Sequence, residues 1–168
     1  MDLEAIYRRY GRVVARWAAR LGGPSIAVED VVQDVFLVVN RRLAAFRGDA
    51  KITTWLFRIT EQILRNRRRS QRRGRWLSRL TRRIQESVPA TQPTPAENRE
   101  RLEAVEQFYR VLESLPEKHR KVLVLYELEA MDAQAIADLL GTKVATVRVH
   151  LHRARATFLK RLAEEDAS

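Results

Sequence analysis

Residues 133–162, AQAIADLLGTKVATVRVHLHRARATFLKRL, decide how this chain is read. A short apolar-patterned run, a glycine and a longer basic run form the helix–turn–helix pattern. Asp132 is placed as the N-cap of the first helix, Ala133–Leu140, and Gly141 supplies the sharp turn. The second helix runs from about Val144 to Ala163. Ile136, Leu140, Val147 and Leu151 have the spacing to hold the two helices together. Arg148, His152 and Arg155 are then left on the free face. Such a second helix lies in the major groove, where Arg contacts guanine bidentately and its charge also pairs with phosphate. Thr146 stands near the helix start, where hydroxyl and backbone N–H groups meet phosphate. The competing reading is a basic helix that closes a bundle with its arginines solvated.

Outward from that stretch the whole chain reads as helix, because strand alternation is absent and Ala, Leu, Arg and Glu dominate. A first helix is expected over roughly 2–21, with Ile6, Tyr10, Val13, Val14, Trp17 and Leu21 on one face. Gly22, Gly23 and Pro24 stop it. A second runs from about Val28 to Phe46, and a third from near Thr53, carrying Trp55, Leu56, Ile59, Ile63 and Leu64. These three make a small bundle. Residues 84–98, IQESVPATQPTPAEN, hold three prolines and read as a linker. A fourth helix covers about 97–114, with Leu102, Val105, Phe108, Tyr109 and Leu112 expected inward. Pro116 opens a fifth, through about Glu127. The expected architecture is all-α, with two small domains: 1–83, including an arginine-rich extension from about 65, and 99–168, across the linker 84–98.

The 168 residues carry 32 Lys and Arg against 21 Asp and Glu, a net charge of +11. Residues 65–83, RNRRRSQRRGRWLSRLTRR, hold ten arginines and no acid, so nearly all the excess sits there. A block of that density marks an acidic partner, nucleic acid or an anionic surface, or else a solvated linker. There is no cysteine, which excludes a disulfide scaffold, a thiolate zinc site and a cysteine nucleophile. His150 and His152 diverge on their helix and His119 is isolated, so no metal site is expected, and no cofactor. Asp30 and Asp34 are paired carboxylates at i, i+4, but no nucleophile, glycine-rich phosphate loop or Ser/His/Asp set joins them. An enzyme is not expected. No apolar run is long enough to span a membrane and none resembles a signal peptide, so a cytoplasmic protein is expected without membrane insertion.

Two blocks carry a family resemblance. VEDVVQDVFLVVNRRLAAFRGDAKITTWLFRI and LESLPEKHRKVLVLYELEAMDAQAIADLLGTKVATVRVHLHRARATFLKRL, in this order across a Pro-rich linker, resemble the extracytoplasmic-function (ECF) class of the sigma-70 factors. The resemblance implies a factor that binds core RNA polymerase and directs promoter recognition and opening. It implies polymerase docking by Asp30, Gln33, Asp34 and Phe36 on the β′ clamp helices, with the β flap as a further contact. Phe36 can equally be core. It implies −10 DNA contact by the loop Arg47–Lys51, including Asp49, and by Trp55, Arg58, Gln62 and Arg65. Trp55 is either a stacking residue or core. It implies −35 contact by Thr146, Arg148, Val149, His152, Arg153 and Arg155. Promoter DNA and an anti-sigma factor complete the implied partners. Gln62 stands where the family often has Asn, and Val149 replaces a commonly small polar residue. A stand-alone helix–turn–helix regulator is the alternative.

Overall fold

The computed structural model describes residues 2–81 and 96–167, with side chains over 2–70 and 102–167. Among the described residues seven α-helices are present: α1 Leu3–Gly22, α2 Val28–Arg42, α3 Ile52–Thr81, α4 Ala96–Ser114, α5 Glu117–Leu123, α6 Ala133–Leu140 and α7 Val144–Asp166. A 3₁₀ turn, Leu43–Ala45, extends α2, and a π-helical turn, Val124–Leu128, extends α5. No strand occurs among the described residues. The expected linker 84–98 falls on 84–95 outside the described residues, and 96–98 already belong to α4.

α1, α2 and α3 pack through the expected apolar stripes. Ile6, Val14, Trp17, Val31, Val35, Val39, Leu56 and Ile59 are all buried. Phe57, which the stripe did not include, is fully buried with its ring edge-on to Trp17 at 5.1 Å. α3 is covered on two sides: α1 and α2 on one, and α6 on another. A one-stripe reading of its sequence sees only the first. Thr60 is buried too, its hydroxyl donating to the Leu56 carbonyl at 2.9 Å, so it leaves no unmet polar group.

The second unit closes around Leu112, Leu125, Ile136, Val147 and Leu151. Phe108 meets Phe158 at 5.2 Å, and Arg110 pairs with Glu165 at 3.6 Å. Leu102 and Val105 depart from expectation: they are exposed. α7 ends at Asp166, which accepts a hydrogen bond from Gln107 at 2.6 Å. Leu102 and Val105 both precede Gln107, the α4 residue that meets the end of α7.

Two glycines mark where the units meet. Gly23 caps α1 at φ 77°, and a Cβ there would stand 2.9 Å from Tyr109 of α4. Gly141, left-handed at φ 65°, turns α6 into α7, and a Cβ there would meet the Arg58 guanidinium at 3.2 Å. Both positions favour glycine for backbone conformation, and Gly23 also for the close approach of the Tyr109 ring.

Candidate nucleic-acid interface

The helix–turn–helix is built as its sequence prescribes. Asp132 Oδ1 accepts the Ala135 N–H at 2.8 Å, so the α6 N-terminus is capped. Gly141 then reverses the chain, and its N–H bonds the Ala137 carbonyl. Val147, Leu151 and Ala154 bury one face of α7. Arg148, Val149, His152 and Arg153 stand exposed on the other, with Thr146 half-buried in the first turn. The two arginines lie five residues apart around this face and are available to base edges or phosphates. Arg155 is exposed as well and already has an ion partner. Its guanidinium bonds Glu127 at 2.6–2.8 Å and lies 5.0 Å from the Tyr126 ring, so it ties α7 back to the π-helical turn.

His119 is not isolated. Its ring lies 5.4 Å from that of His150, joining α5 to α7. Burial holds His119 below the ordinary histidine value, reinforced by His150 and the cations Lys118 and Arg153. His150 is lowered in the same way, by burial and then by Lys118 and Arg153. No group of three or more metal-ligating side chains occurs among the described residues.

In the first unit, the residues named for −10 DNA lie along the loop before α3 and along α3 itself. Arg47, Asp49 and Lys51 are exposed on the loop, and Arg58 and Gln62 are exposed on the helix. Trp55 is half-buried and stacked on Phe46, with centroids 4.7 Å apart and planes 29° from parallel. Gln62 donates to Asn66 at 3.2 Å, so its amide is already oriented. Three of the four cations of this set, Lys51, Arg58 and Arg65, turn toward the second unit. Lys51 reaches Asp138 of α6 at 3.8 Å. Arg58 lies against Gly141. Arg65 bonds Glu117 of α5 at 2.9 Å and Glu61 at 3.2 Å.

The Arg65–Glu117 contact leaves its mark on both groups. Burial pushes Glu117 up, but the Arg65 hydrogen bond and charge, with Lys121 and Arg120, outweigh it and hold the carboxyl below its usual range. Arg65 is raised, first by its hydrogen bond to Glu117.

A further link between the units was not legible in the sequence. After the π-helical turn, the Glu129 N–H bonds the Val124 carbonyl at 3.1 Å, and Ala130 follows at φ 52°. This wide turn aims Glu129 at α1. Its side chain is 2% exposed and accepts from Arg16 at 2.8 Å and from Arg20 at 2.7 Å. Arg20 also donates to the Leu128 carbonyl.

The four residues named for polymerase docking divide between two faces of α2. Gln33 and Phe36 line a groove of about 780 Å³ between α1 and α2, with Tyr7 and Leu37 exposed at its rim. Phe36 is itself buried, with Tyr7 edge-on at 4.8 Å, so it forms the floor of that groove. Asp30 and Asp34 face α3, where Arg67 lies 3.7 Å from Asp30 and bonds Asp34.

Comparison with known proteins fits this arrangement. Residues 6–74 match the family "Sigma-70 region 2" and residues 105–158 match "Sigma-70, region 4". The chain is 34% identical to the ECF RNA polymerase sigma-E factor of Escherichia coli K12, over 88% of this chain and 79% of that protein. It is 32% identical to the probable RNA polymerase sigma factor RfaY of Xanthomonas campestris, over 92% of this chain but 40% of that protein. Among solved structures it resembles CnrH in complex with the cytosolic domain of CnrY, with TM-score 0.62 and 26% identity over 96% of this chain and 88% of that one. The sigma factor RpoE, in complex with the anti-sigma factor NepR from Bartonella quintana, shares the fold at TM-score 0.58 and 23% identity, over 97% of each chain. With both sigma-70 regions present in order and a third of its residues shared with a full relative, the chain belongs to the ECF RNA polymerase sigma factors.

Proposed function

We propose that this sigma factor divides promoter recognition between its two units. The second unit reads the −35 element through Arg148, Val149, His152 and Arg153, with Thr146 at a phosphate. Val149 offers a methyl contact to thymine rather than a hydrogen bond. Arg155 positions α7 through Glu127. The first unit captures the −10 strand with the loop Arg47–Lys51 and the α3 residues Arg58, Gln62 and Arg65. Trp55 and its stacking partner Phe46 form the aromatic wall of that site. Asp30 and Asp34 dock on the clamp helices of core polymerase, with Gln33 and the Phe36 floor of the α1–α2 groove beside them, and the second unit contacts the β flap. The units are assigned to residues 1–83 and 99–168 and the linker to 84–98, whose last three residues α4 takes into the second unit.

The factor has no reaction of its own in this reading; polymerase supplies the chemistry. It works in the cytoplasm, and among the described residues no helix is long and apolar enough to cross a membrane. An anti-sigma protein is assigned as a regulator, in keeping with the complex of the related RpoE fold. The closed arrangement has a consequence for −10 capture. Lys51 and Arg65 are engaged by Asp138 and Glu117, so these ion pairs must break before the cations meet DNA phosphates.

The observation that carries the reading is an exposed basic recognition face on one unit, joined in one chain to a region 2 unit whose α3 carries the second set of cations. Run-off transcription by core polymerase on fragmented genomic DNA tests it, with and without the protein. New RNA 5′ ends sharing two upstream motifs are expected. Duplex binding without polymerase, and no new starts with it, would move the protein to the stand-alone regulators.

A further inference from the structure

α5 and α7 bring four basic side chains together at the edge of the recognition face. The rings of His119 and His150 lie 5.4 Å apart, 54° from parallel, with the charges of Lys118 and Arg153 beside them. His150 and Arg153 stand at i and i+3, on one side of α7. Lys118 and Arg153 are exposed, and neither has an ion pair or hydrogen bond among the described residues. The neighbouring carboxylates are already engaged. Glu61 borders a cavity of about 170 Å³ with His150, Arg58 and Lys121, and it pairs with Arg65 and Lys121. Glu117, next to Lys118 in α5, pairs with Arg65. Both ring nitrogens of His119 are buried without a hydrogen-bond partner. A buried polar atom in that state costs free energy, which a donor reaching it would recover.

Resting on the assignment of α7 to DNA, we propose that Lys118, His150 and Arg153 hold one backbone phosphate beside the recognition face, and that the histidine pair takes up a proton from solvent as it binds. A helix in the major groove has a phosphate backbone running along its flank, and contacts to phosphate fix its register. Arg153 and His150 occupy the flank of α7 nearest Lys118, so one phosphate can meet donors from both helices. In the free protein, burial and then the surrounding cations hold both rings below the ordinary histidine value. An anion seated between Lys118 and Arg153 opposes that field and favours the charged form of His150. Imidazolium has two N–H donors: one for the phosphate and one for the unpartnered nitrogen of His119. Proton uptake and DNA binding then strengthen each other.

The test titrates the whole chain with a short DNA duplex of arbitrary sequence, because a phosphate contact carries no base preference. Calorimetry near pH 6.5, in two buffers of different ionisation enthalpy, counts the protons taken up. About 0.5–1 proton per bound protein is expected, so affinity should rise about three- to tenfold for each pH unit lost there. His150→Asn should bind without a linked proton. His152→Asn, altered on the recognition face itself, should bind more weakly and keep the uptake. Lys118→Gln, at an exposed position, should reduce the slope of log K against log salt by about one. Should His150→Asn fail to fold, the uptake by the parent protein and by His152→Asn, with the Lys118→Gln slope, decides the matter. The proposal is overturned by duplex binding without proton uptake, by uptake that survives His150→Asn or vanishes in His152→Asn, by an unchanged slope in Lys118→Gln, or by no duplex binding at all. None of these measurements includes polymerase. A chain that takes up the proton yet starts no transcripts keeps its anchor and loses only the sigma reading.

Discussion

Replacing Glu129 by alanine should separate the two units without unfolding either. The carboxylate is 2% exposed and receives one guanidinium from Arg16 and one from Arg20, whose side chains are 50% and 36% exposed. A hydrogen bond to a charged group contributes about 1.5–3 kcal/mol. The Arg16 half of the pair is open to water and is worth no more than a surface ion pair, about 0.2–1 kcal/mol. The Arg20 half is better shielded and keeps about 1.5–2 kcal/mol after the same discount. Because both arginines can rehydrate, removing Glu129 leaves no buried orphan charge. The net loss is about 2–3 kcal/mol, which moves the closed-to-open equilibrium about 30- to 150-fold. The chain has no cysteine, so cysteines introduced at the exposed positions Ala5 and Ala156 label α1 and α7 alone. Energy transfer between the labels should fall in Glu129→Ala and fall further as salt rises, while the helical circular dichroism stays constant. Glu129→Gln, which keeps an acceptor but not the charge, should lie between. Transfer unchanged from the parent protein at every salt concentration would falsify the reasoning.

Arg148→Ala should weaken promoters that depend on a −35 element by about 1–3 kcal/mol, read as transcript yield. Promoters without that element should be spared, and equal loss on both would remove base reading from Arg148. Asp34→Arg should abolish co-elution with core polymerase while the helical signal is kept, since it reverses the charge offered to the clamp helices at a half-exposed position; unchanged co-elution would take Asp34 out of the interface. The His119–His150 contact gives stability a pH dependence. Both groups are held below the ordinary value of 6.5 in the folded protein. The unfolded chain therefore binds protons first as pH falls through 6.5, and stability drops below that pH and is flat above it. Urea denaturation at a series of pH values should show this slope, and the double variant His119→Asn, His150→Asn should lose it.

The element plan was legible because local signals agreed with one another. Asp132 caps α6 and Gly141 ends it, as a short polar acceptor and a residue free to turn left-handed dictate. The stripes of α1 and α2 repeat at helical spacing, and their members are buried or half-buried. The recognition face followed from the same periodicity, since burying Val147 and Leu151 turns Arg148 and His152 outward. Arg155 shows where periodicity stops: it is exposed like its neighbours, yet Glu127, 28 residues away, holds it.

What only tertiary structure decided is the meeting of residues far apart in the chain. Glu129 reaches Arg16 across 113 residues because a π-helical turn and the positive φ of Ala130 redirect it. Phe57 is core because α3 is covered on two sides, whereas Leu102 and Val105 are exposed although they share the helical spacing of the buried Leu112. The seam between the units gathers Arg65 and Arg68 of α3 with Arg120 of α5 around one cavity, though more than 50 residues separate them in the chain. A helix's own sequence fixes which residues share a face, because that depends on 3.6 residues per turn. Whether that face meets a core, an ion partner or water depends on where other helices end and dock.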